Sequence, residues 1–278
     1  EVKMKNRADS RTEKQLENHY RVEKEIAQRL LKTNRNERVE FYSNMYDELF
    51  SKVPDHPRLL KRENSQSVTE SNQYKSSFFT RFINKNSHVV EFAAGDCHFS
   101  ISISKLCQKV TAIDISDQRG SEMEKPDNFN LVIYDGYSLP VDLKKADLFI
   151  SDQFLEHLHP DDVEAHFLLV QNCLKTGGIY AFRTPHRYSG PHDVSKYFSN
   201  VPKGFHLKEY CHYELKKIIN QIGYGNYTCY LEIKGRAYKV PYPVVFLLEK
   251  SLVKMPHTIR RKFVGRVFSS LNASIEKL

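Results

Sequence analysis

The chain has 278 residues, 40% of them hydrophobic and 27% charged, which suits one α/β domain with an appendage and argues against a disordered chain. The formal net charge of +8 favours anionic partners. The five scattered cysteines (Cys97, Cys107, Cys173, Cys211 and Cys229) argue against a disulfide framework or a cysteine-zinc centre and fit a reducing cytoplasm. No run approaches the roughly 20 apolar residues that span a bilayer.

Residues 1–11 are charged and lack the apolar core of a secretory signal. Residues 10–53 contain no Pro or Gly, and their apolar positions (Leu16, Tyr20, Ile26, Leu30, then Tyr42, Met45, Tyr46, Leu49, Val53) recur at helical spacing. Pro54 and Pro57 end this run. Residues 55–72 are polar and rich in Ser and Asn, and read as a connecting loop. The first 72 residues therefore form an N-terminal helical cap and linker.

From residue 73 short β-rich runs alternate with helical ones. Strands are expected at 88–93, 110–114, 129–134, 147–151, 179–184, 227–233 and 244–249, and helices at 99–108, 117–124 and 162–174. This alternation predicts an α/β, Rossmann-like, mostly parallel seven-stranded sheet with helices on both faces over 73–250. The closely spaced later strands suit an antiparallel edge. Residues 251–278 read as a basic amphipathic tail suited to a membrane surface or a partner. Ligands in such sheets bind at the carboxyl ends of the strands, which directs attention to four strand ends.

The first expected strand ends in Glu91-Phe92-Ala93-Ala94-Gly95-Asp96-Cys97, an acid followed by a turn of small residues that admits a ligand close to the backbone. The second ends in Asp114-Ile115, where an acid can accept hydrogen bonds from both hydroxyls of a ribose. The third delivers Asp135-Gly136, and the fourth delivers Asp152-Gln153-Phe154-Leu155-Glu156-His157.

In this order and spacing the chain resembles the class I S-adenosylmethionine-dependent methyltransferases over about residues 75–235. The family's acid-x-Gly-x-Gly-x-Gly motif reads Glu91 to Cys97 here, with only Gly95 kept. Ala93 and Cys97 stand in the outer glycine positions. The resemblance implies S-adenosylmethionine as cofactor, held by Glu91, Ala93, Gly95, Asp114, Ile115, Asp135, Gly136 and Gln153. It implies an enzyme that methylates a hydroxyl or carboxylate of a small molecule or short peptide. The stretch Gly190-Pro191-His192-Asp193 and the N-terminal Tyr46-Asp47-Glu48-Leu49-Phe50 resemble a bacterial branch linked to glycan and natural-product pathways.

Residues 185–210 occupy the place of an acceptor-binding insertion. His192, His206 and His157 are the candidate catalytic bases. His186, Arg187, Asp193, Tyr197 and Tyr46 are the candidate acceptor contacts. Metal-dependent relatives use Glu-x-x-Glu-His; here Gln153 replaces the first glutamate, and no metal is expected. Nucleic acid is not expected as acceptor, since neither a base-methyltransferase motif nor an RNA module is evident. The competing readings are N-methylation of an amine on a sugar or natural product, metal-dependent RNA 2′-O-methylation, and a non-catalytic cofactor-binding module.

Overall fold

The computed structural model describes residues 9–62, 65–120, 123–139, 143, 145–233, 235–268 and 270–278. Among these residues four α-helices precede the first strand: α1 (Glu13–Leu30), α2 (Arg35–Lys52), α3 (Pro57–Arg62) and α4 (Ser65–Phe79). The single helix expected over 10–53 is divided in two. Asn34 caps α2, accepting from the Asn36 and Glu37 amides while the Glu37 side chain accepts from the Asn34 amide. This capping box starts a new helix inside a run whose apolar spacing hides the break.

The loop expected over 55–72 is instead mostly helix. Its Ser and Asn residues are poor markers there, because α4 is set by what its inner face covers. Phe78 and Phe79 at its end are buried against the sheet with Val89, Phe99 and Ile103, and packing of this kind overrides weak local preference.

Among the described residues the sheet has eight strands, one more than expected, in the order β3-β2-β1-β4-β5-β8-β6-β7. They are β1 (His88–Phe92), β2 (Lys109–Asp114), β3 (Phe129–Ile133), β4 (Ala146–Asp152), β5 (Leu174–Pro185), β6 (Tyr227–Ile233), β7 (Arg236–Val240) and β8 (Ser270–Glu276). The first five pair in parallel, while β8, β6 and β7 add an antiparallel edge. The order reverses between β1 and β4, where a cleft opens at the carboxyl ends.

Helix α5 (His98–Ile103) covers one face with α4; α6 (Val163–Cys173), α7 (His212–Ile222) and α8 (Tyr242–Val253) cover the other. A final helix, α9 (His257–Val267), leads into β8.

Three further expectations change. Residues 244–249, read as a strand, lie inside α8. An apolar run of this length suits either element, and Pro243 in the first turn marks a helix start. The helix expected at 117–124 is absent among the described residues. Asp117 instead folds back on the Arg119 amide at 3.1 Å in a local turn. The tail expected over 251–278 ends as β8, paired with both β5 and β6, and its Leu271, Ala273 and Ile275 are buried core.

A third apolar cluster joins the N-terminal helices to the segment after β5. Val22, Ile26, Leu30, Met45, Leu49 and Val53 pack with Phe205. Each such buried side chain contributes about 1.5–3 kcal/mol of transfer free energy. The ion pair Arg38–Asp162, at 2.8 Å and nearly closed to solvent, fastens α2 to the turn after β4. No helix among the described residues is long and apolar enough to cross a membrane.

Candidate active site

The strand ends meet the N-terminal helices around a cavity of about 490 Å³, within the usual range for small-molecule sites. Its floor is the turn after β1. Ala93, Gly95 and Cys97 all lie in the left-handed region, with φ of 53°, 60° and 62°. The three outer and central motif positions are therefore the ones whose backbone favours glycine, and this chain meets two of them with Ala and Cys. Gln153, at the end of β4, is a fourth such residue with φ 55°. Strained backbone gathered around one cavity is typical of a working site.

Asp114 ends β2 at 5% exposure. Its Oδ2 accepts the Gly95 amide at 2.7 Å, and its Oδ1 accepts Gln118 Nε2 at 3.0 Å. Burial pushes its pKa up, opposed by the Gly95 amide and by Arg58. The Ser116 amide also donates to Oδ1 at 3.4 Å, so Oδ2 is the oxygen that keeps a lone pair for a ligand.

The roof comes from the N-terminal helices. Tyr42, Met45 and Tyr46 of α2, Arg58 of α3 and Lys75 of α4 all line the cavity. A Cβ on Gly136 would stand 3.4 Å from the Tyr42 ring, and one on Gly95 would stand 3.4 Å from Arg58 Nη2. The bare backbone at these two positions is thus what keeps the space open. A second hollow, sharing Tyr42, Ile115 and Tyr134 with the first, is lined by Asp135 and by α2.

These residues fit S-adenosylmethionine. Asp114 suits a ribose, Ile115 and Tyr134 suit a flat base, and Arg58 and Lys75 suit a carboxylate. Of the cofactor contacts expected from sequence, Ala93, Gly95, Asp114, Ile115, Gly136 and Gln153 line the main cavity, and Asp135 lines only the adjoining hollow. The Asp135 carboxylate is turned to its own loop, accepting from the Tyr137 and Ser138 amides at 2.7 Å each. Glu91 is outside the lining; it accepts from Lys75 Nζ at 3.0 Å and Ser100 Oγ at 2.5 Å, so it places Lys75.

The candidate bases separate. His157 lines the cavity. Its Nδ1 donates to the Phe205 carbonyl at 2.8 Å, which leaves Nε2 with a lone pair. Burial, and then the charge of His206, hold its pKa down at about 3. Beside it Glu156 is fully buried; its Oε2 accepts from Thr184 Oγ1 at 2.8 Å, while Oε1 has no hydrogen-bond partner. Burial raises this carboxyl to about 7.

His206 meets His157 edge to face at 5.1 Å and gives Nδ1–H to Glu209 Oε1 at 2.8 Å. Burial opposes its charge, but Glu209 and Glu156 outweigh this and lift it to about 9. Ligand atoms of Glu156, His157 and His206 lie within 4.8 Å of one another.

His192 lies one step further out, between Ser189 Oγ at 3.0 Å and Glu209 Oε2 at 3.2 Å. Glu209, at 2% exposure, is the residue that joins His192 to His206. Sequence reading missed it, although its spacing of three from His206 was the available signal. Asp193 does not orient His192: its oxygens accept from the Ser195 and Gly204 amides.

Among the expected acceptor contacts, only Tyr46 reaches the cavity. His186 is fully buried and bonded to Glu249 at 2.9 Å. Arg187 pairs with Glu214 at 3.0 Å. Tyr197 reaches Asp9 at 3.5 Å.

Comparison with known proteins agrees with this geometry. Residues 89–178 match a family model described as a methyltransferase domain. Among solved structures, a SAM-dependent methyltransferase from Archaeoglobus fulgidus superposes with a TM-score of 0.52 at 16% identity, over 75% of this chain and 94% of that one. Phosphoethanolamine N-methyltransferase 1 of Haemonchus contortus gives 0.55 at 14% identity, over 88% of this chain and 50% of that one. Phosphoethanolamine N-methyltransferase 2 of the same organism, in complex with S-adenosyl-L-methionine, gives 0.51 at 13% identity over 74% and 52%. The chain spans about half the length of these two Haemonchus enzymes. At such identities the likeness is one of fold. No curated protein sequence matches the chain.

Proposed function

Because this chain carries a class I S-adenosylmethionine-dependent methyltransferase domain, with S-adenosylmethionine as its methyl donor, we propose that it methylates a hydroxyl of a small molecule or short peptide. The observation that carries this reading is the bare Nε2 of His157 at the cavity wall, fixed by the Phe205 carbonyl behind it. When bound, the cofactor supplies an electrophilic methyl carbon on a sulfonium. Asp114 receives the ribose hydroxyls, and Arg58 and Lys75 receive the carboxylate.

His157 Nε2 would accept the hydroxyl proton as the acceptor oxygen takes the methyl group; because burial and His206 hold the ring's pKa at about 3, the proton would pass on to Glu156, whose carboxyl burial raises to about 7. Glu156, with Oε1 3.9 Å from His157 Nε2, stabilises the imidazolium so formed. His206 and His192 act indirectly, through Glu209. Tyr46 and Phe154 keep water from the reacting atoms.

The test is a panel of hydroxylated acceptors incubated with S-adenosylmethionine and read by mass spectrometry for one added methyl group. Transfer should be lost in His157→Gln while S-adenosylhomocysteine still binds. Transfer only to amines, or unchanged transfer in that variant, would overturn the reading.

A second reading has its own observation. Both Nδ1 atoms of the pair His157 and His206 face acceptors, the arrangement that turns Nε2 toward a metal. With Glu156 they offer two nitrogens and one oxygen, a set suited to zinc, iron or manganese. A divalent cation there would lower the pKa of a coordinated hydroxyl. Dialysis against a chelator separates the two readings. Unchanged turnover leaves His157 as the base; turnover lost and restored by added metal assigns the cluster to a cation.

A further inference from the structure

The segment between β7 and β8 is a pair of helices whose outward face the sheet does not use. Strands β7 and β8 run parallel, each antiparallel to β6 between them, so the chain must cross over β6, and the 29 residues between Val240 and Ser270 do so as two helices, α8 and α9. The inner face of α8 is committed to the core: Val245, Glu249 and Leu252 are buried. Its outer face is not. Val244 and Leu247 stand 46% and 65% exposed one turn apart, and Val253 and Ile259 near the bend are 57% and 60% exposed. Lys250 and Lys254 continue the same stripe and are exposed.

The charge of the hairpin is one-sided. Between residues 242 and 267 the sequence holds Lys250, Lys254, Arg260, Arg261, Lys262 and Arg266 against a single acid, Glu249. That acid is withdrawn from the surface. It accepts from His186 Nε2 and from the first amides of α7, so it offsets none of the charge of the exposed Lys250 and Lys254. Aromatic side chains border the stripe, with Tyr213 half exposed against Phe246 and lysines over two of the rings.

We infer that the outer face of the α8–α9 hairpin docks on an anionic lipid bilayer. Single aliphatic side chains standing between cations on a convex helical surface suit insertion among acyl chains, with the cations held at the headgroups. A second copy of the chain would set like charges face to face. The hairpin is also tied to the segment after β5, since Ser189 Oγ donates to the Phe268 carbonyl at 2.9 Å. Docking would therefore hold residues 186–189 beside the membrane.

The test uses the full chain and sedimentation with vesicles of phosphatidylcholine alone or with phosphatidylglycerol added. Binding is expected only with phosphatidylglycerol and should weaken with salt. Leu247→Glu and the double change Lys250→Glu/Lys254→Glu should each weaken it about tenfold or more. All three positions are exposed, so S-adenosylhomocysteine affinity and the melting temperature should stay unchanged. No sedimentation with either vesicle, or equal sedimentation unaffected by these changes, would overturn the inference. A dimer in light scattering that Leu247→Glu dissociates would also overturn it, giving this face to a second copy. So would binding of a polyglutamate peptide without binding of vesicles.

Discussion

Two clusters in this molecule hold the same side chains and do opposite things. His19, Glu23 and His56 bring their ligand atoms within 4.8 Å, as do Glu156, His157 and His206. The difference lies behind the rings. His19 Nδ1 accepts from Arg11 Nη1 at 2.9 Å, and His56 Nδ1 accepts from the Arg58 amide at 3.1 Å. Both rings must then carry hydrogen on Nε2, and both aim it at Glu23, at 2.7 and 3.6 Å. The other oxygen of Glu23 accepts the Phe205 amide at 3.1 Å. This cluster is closed, and it welds α1 to the segment after β5. A Cβ on Gly204 would collide with the Glu23 carboxylate, so the chain is bare where the weld is made.

In the second cluster His157 and His206 have acceptors behind them, a carbonyl and a carboxylate. The Nε2 of His157 is left as a lone pair, and Glu156 Oε1 has no partner. Proximity of ligand atoms therefore does not define a reactive site; the partner of the remote nitrogen does. Phe205 belongs to both clusters, its amide serving one and its carbonyl the other, so the structural cluster helps to position the one proposed as reactive.

The comparison predicts opposite outcomes for one kind of substitution. Glutamine replaces a ring nitrogen with an amide donor. His157→Gln should lower kcat by about 10²–10⁴ with S-adenosylhomocysteine affinity little changed, measured by turnover and calorimetry. His56→Gln keeps a donor toward Glu23 and should leave kcat within about threefold, the size of a modest hydrogen-bond change. Equal losses in both variants would erase the distinction.

Glu23→Gln should cost about 2–3 kcal/mol of stability in urea unfolding, since it weakens bonds to a charged acceptor. Burial opposes the charge of Glu23, but His19 and His56 outweigh it and hold its pKa well below the ordinary 4.5. A depressed carboxylate contributes stability that is full above its unfolded pKa and is lost as pH falls through the folded value. The native chain should therefore lose stability below about pH 4.5 more steeply than Glu23→Gln. Parallel pH profiles for the two proteins would contradict this.

Asp114→Ala should weaken S-adenosylhomocysteine by about 1.5–3 kcal/mol in calorimetry, the worth of a hydrogen bond to a charged group. Unchanged affinity would move the ribose elsewhere. The smallest effect is at Ala93. Relief of its left-handed backbone should let Ala93→Gly stabilise the fold by about 1 kcal/mol, in the same urea assay. A loss of stability would mean that the Ala93 methyl group is a packing contact.

Much of this was readable from the sequence because it is local. Strands β1 to β4 are short, largely apolar runs ending at an acid or a turn, as is the 179–184 part of β5, and the motif order located Gly95, Asp114 and Gln153 at one cavity. What escaped is long-range. The partners Arg38 and Asp162 are 124 residues apart, and Phe205 and Glu23 are 182 apart. No pattern within a helix signals such pairs. Helix α4 escaped because its polar sequence says little about the sheet it covers, and α8 because an apolar run fits a strand or a helix until its packing is known. His192, favoured by its place after Gly190-Pro191, lies away from the cavity, with Glu209 and His206 between it and His157, which alone of the three candidate bases lines it.

The central claim is that His157 presents a bare Nε2 to the cavity while His19 and His56 present Nε2–H to Glu23. Nitrogen NMR of the histidine rings at neutral pH reads this directly. The account predicts hydrogen on Nδ1 alone for His157 and on Nε2 alone for His19 and His56. Hydrogen on Nε2 of His157, or the same tautomer in all three rings, would contradict it.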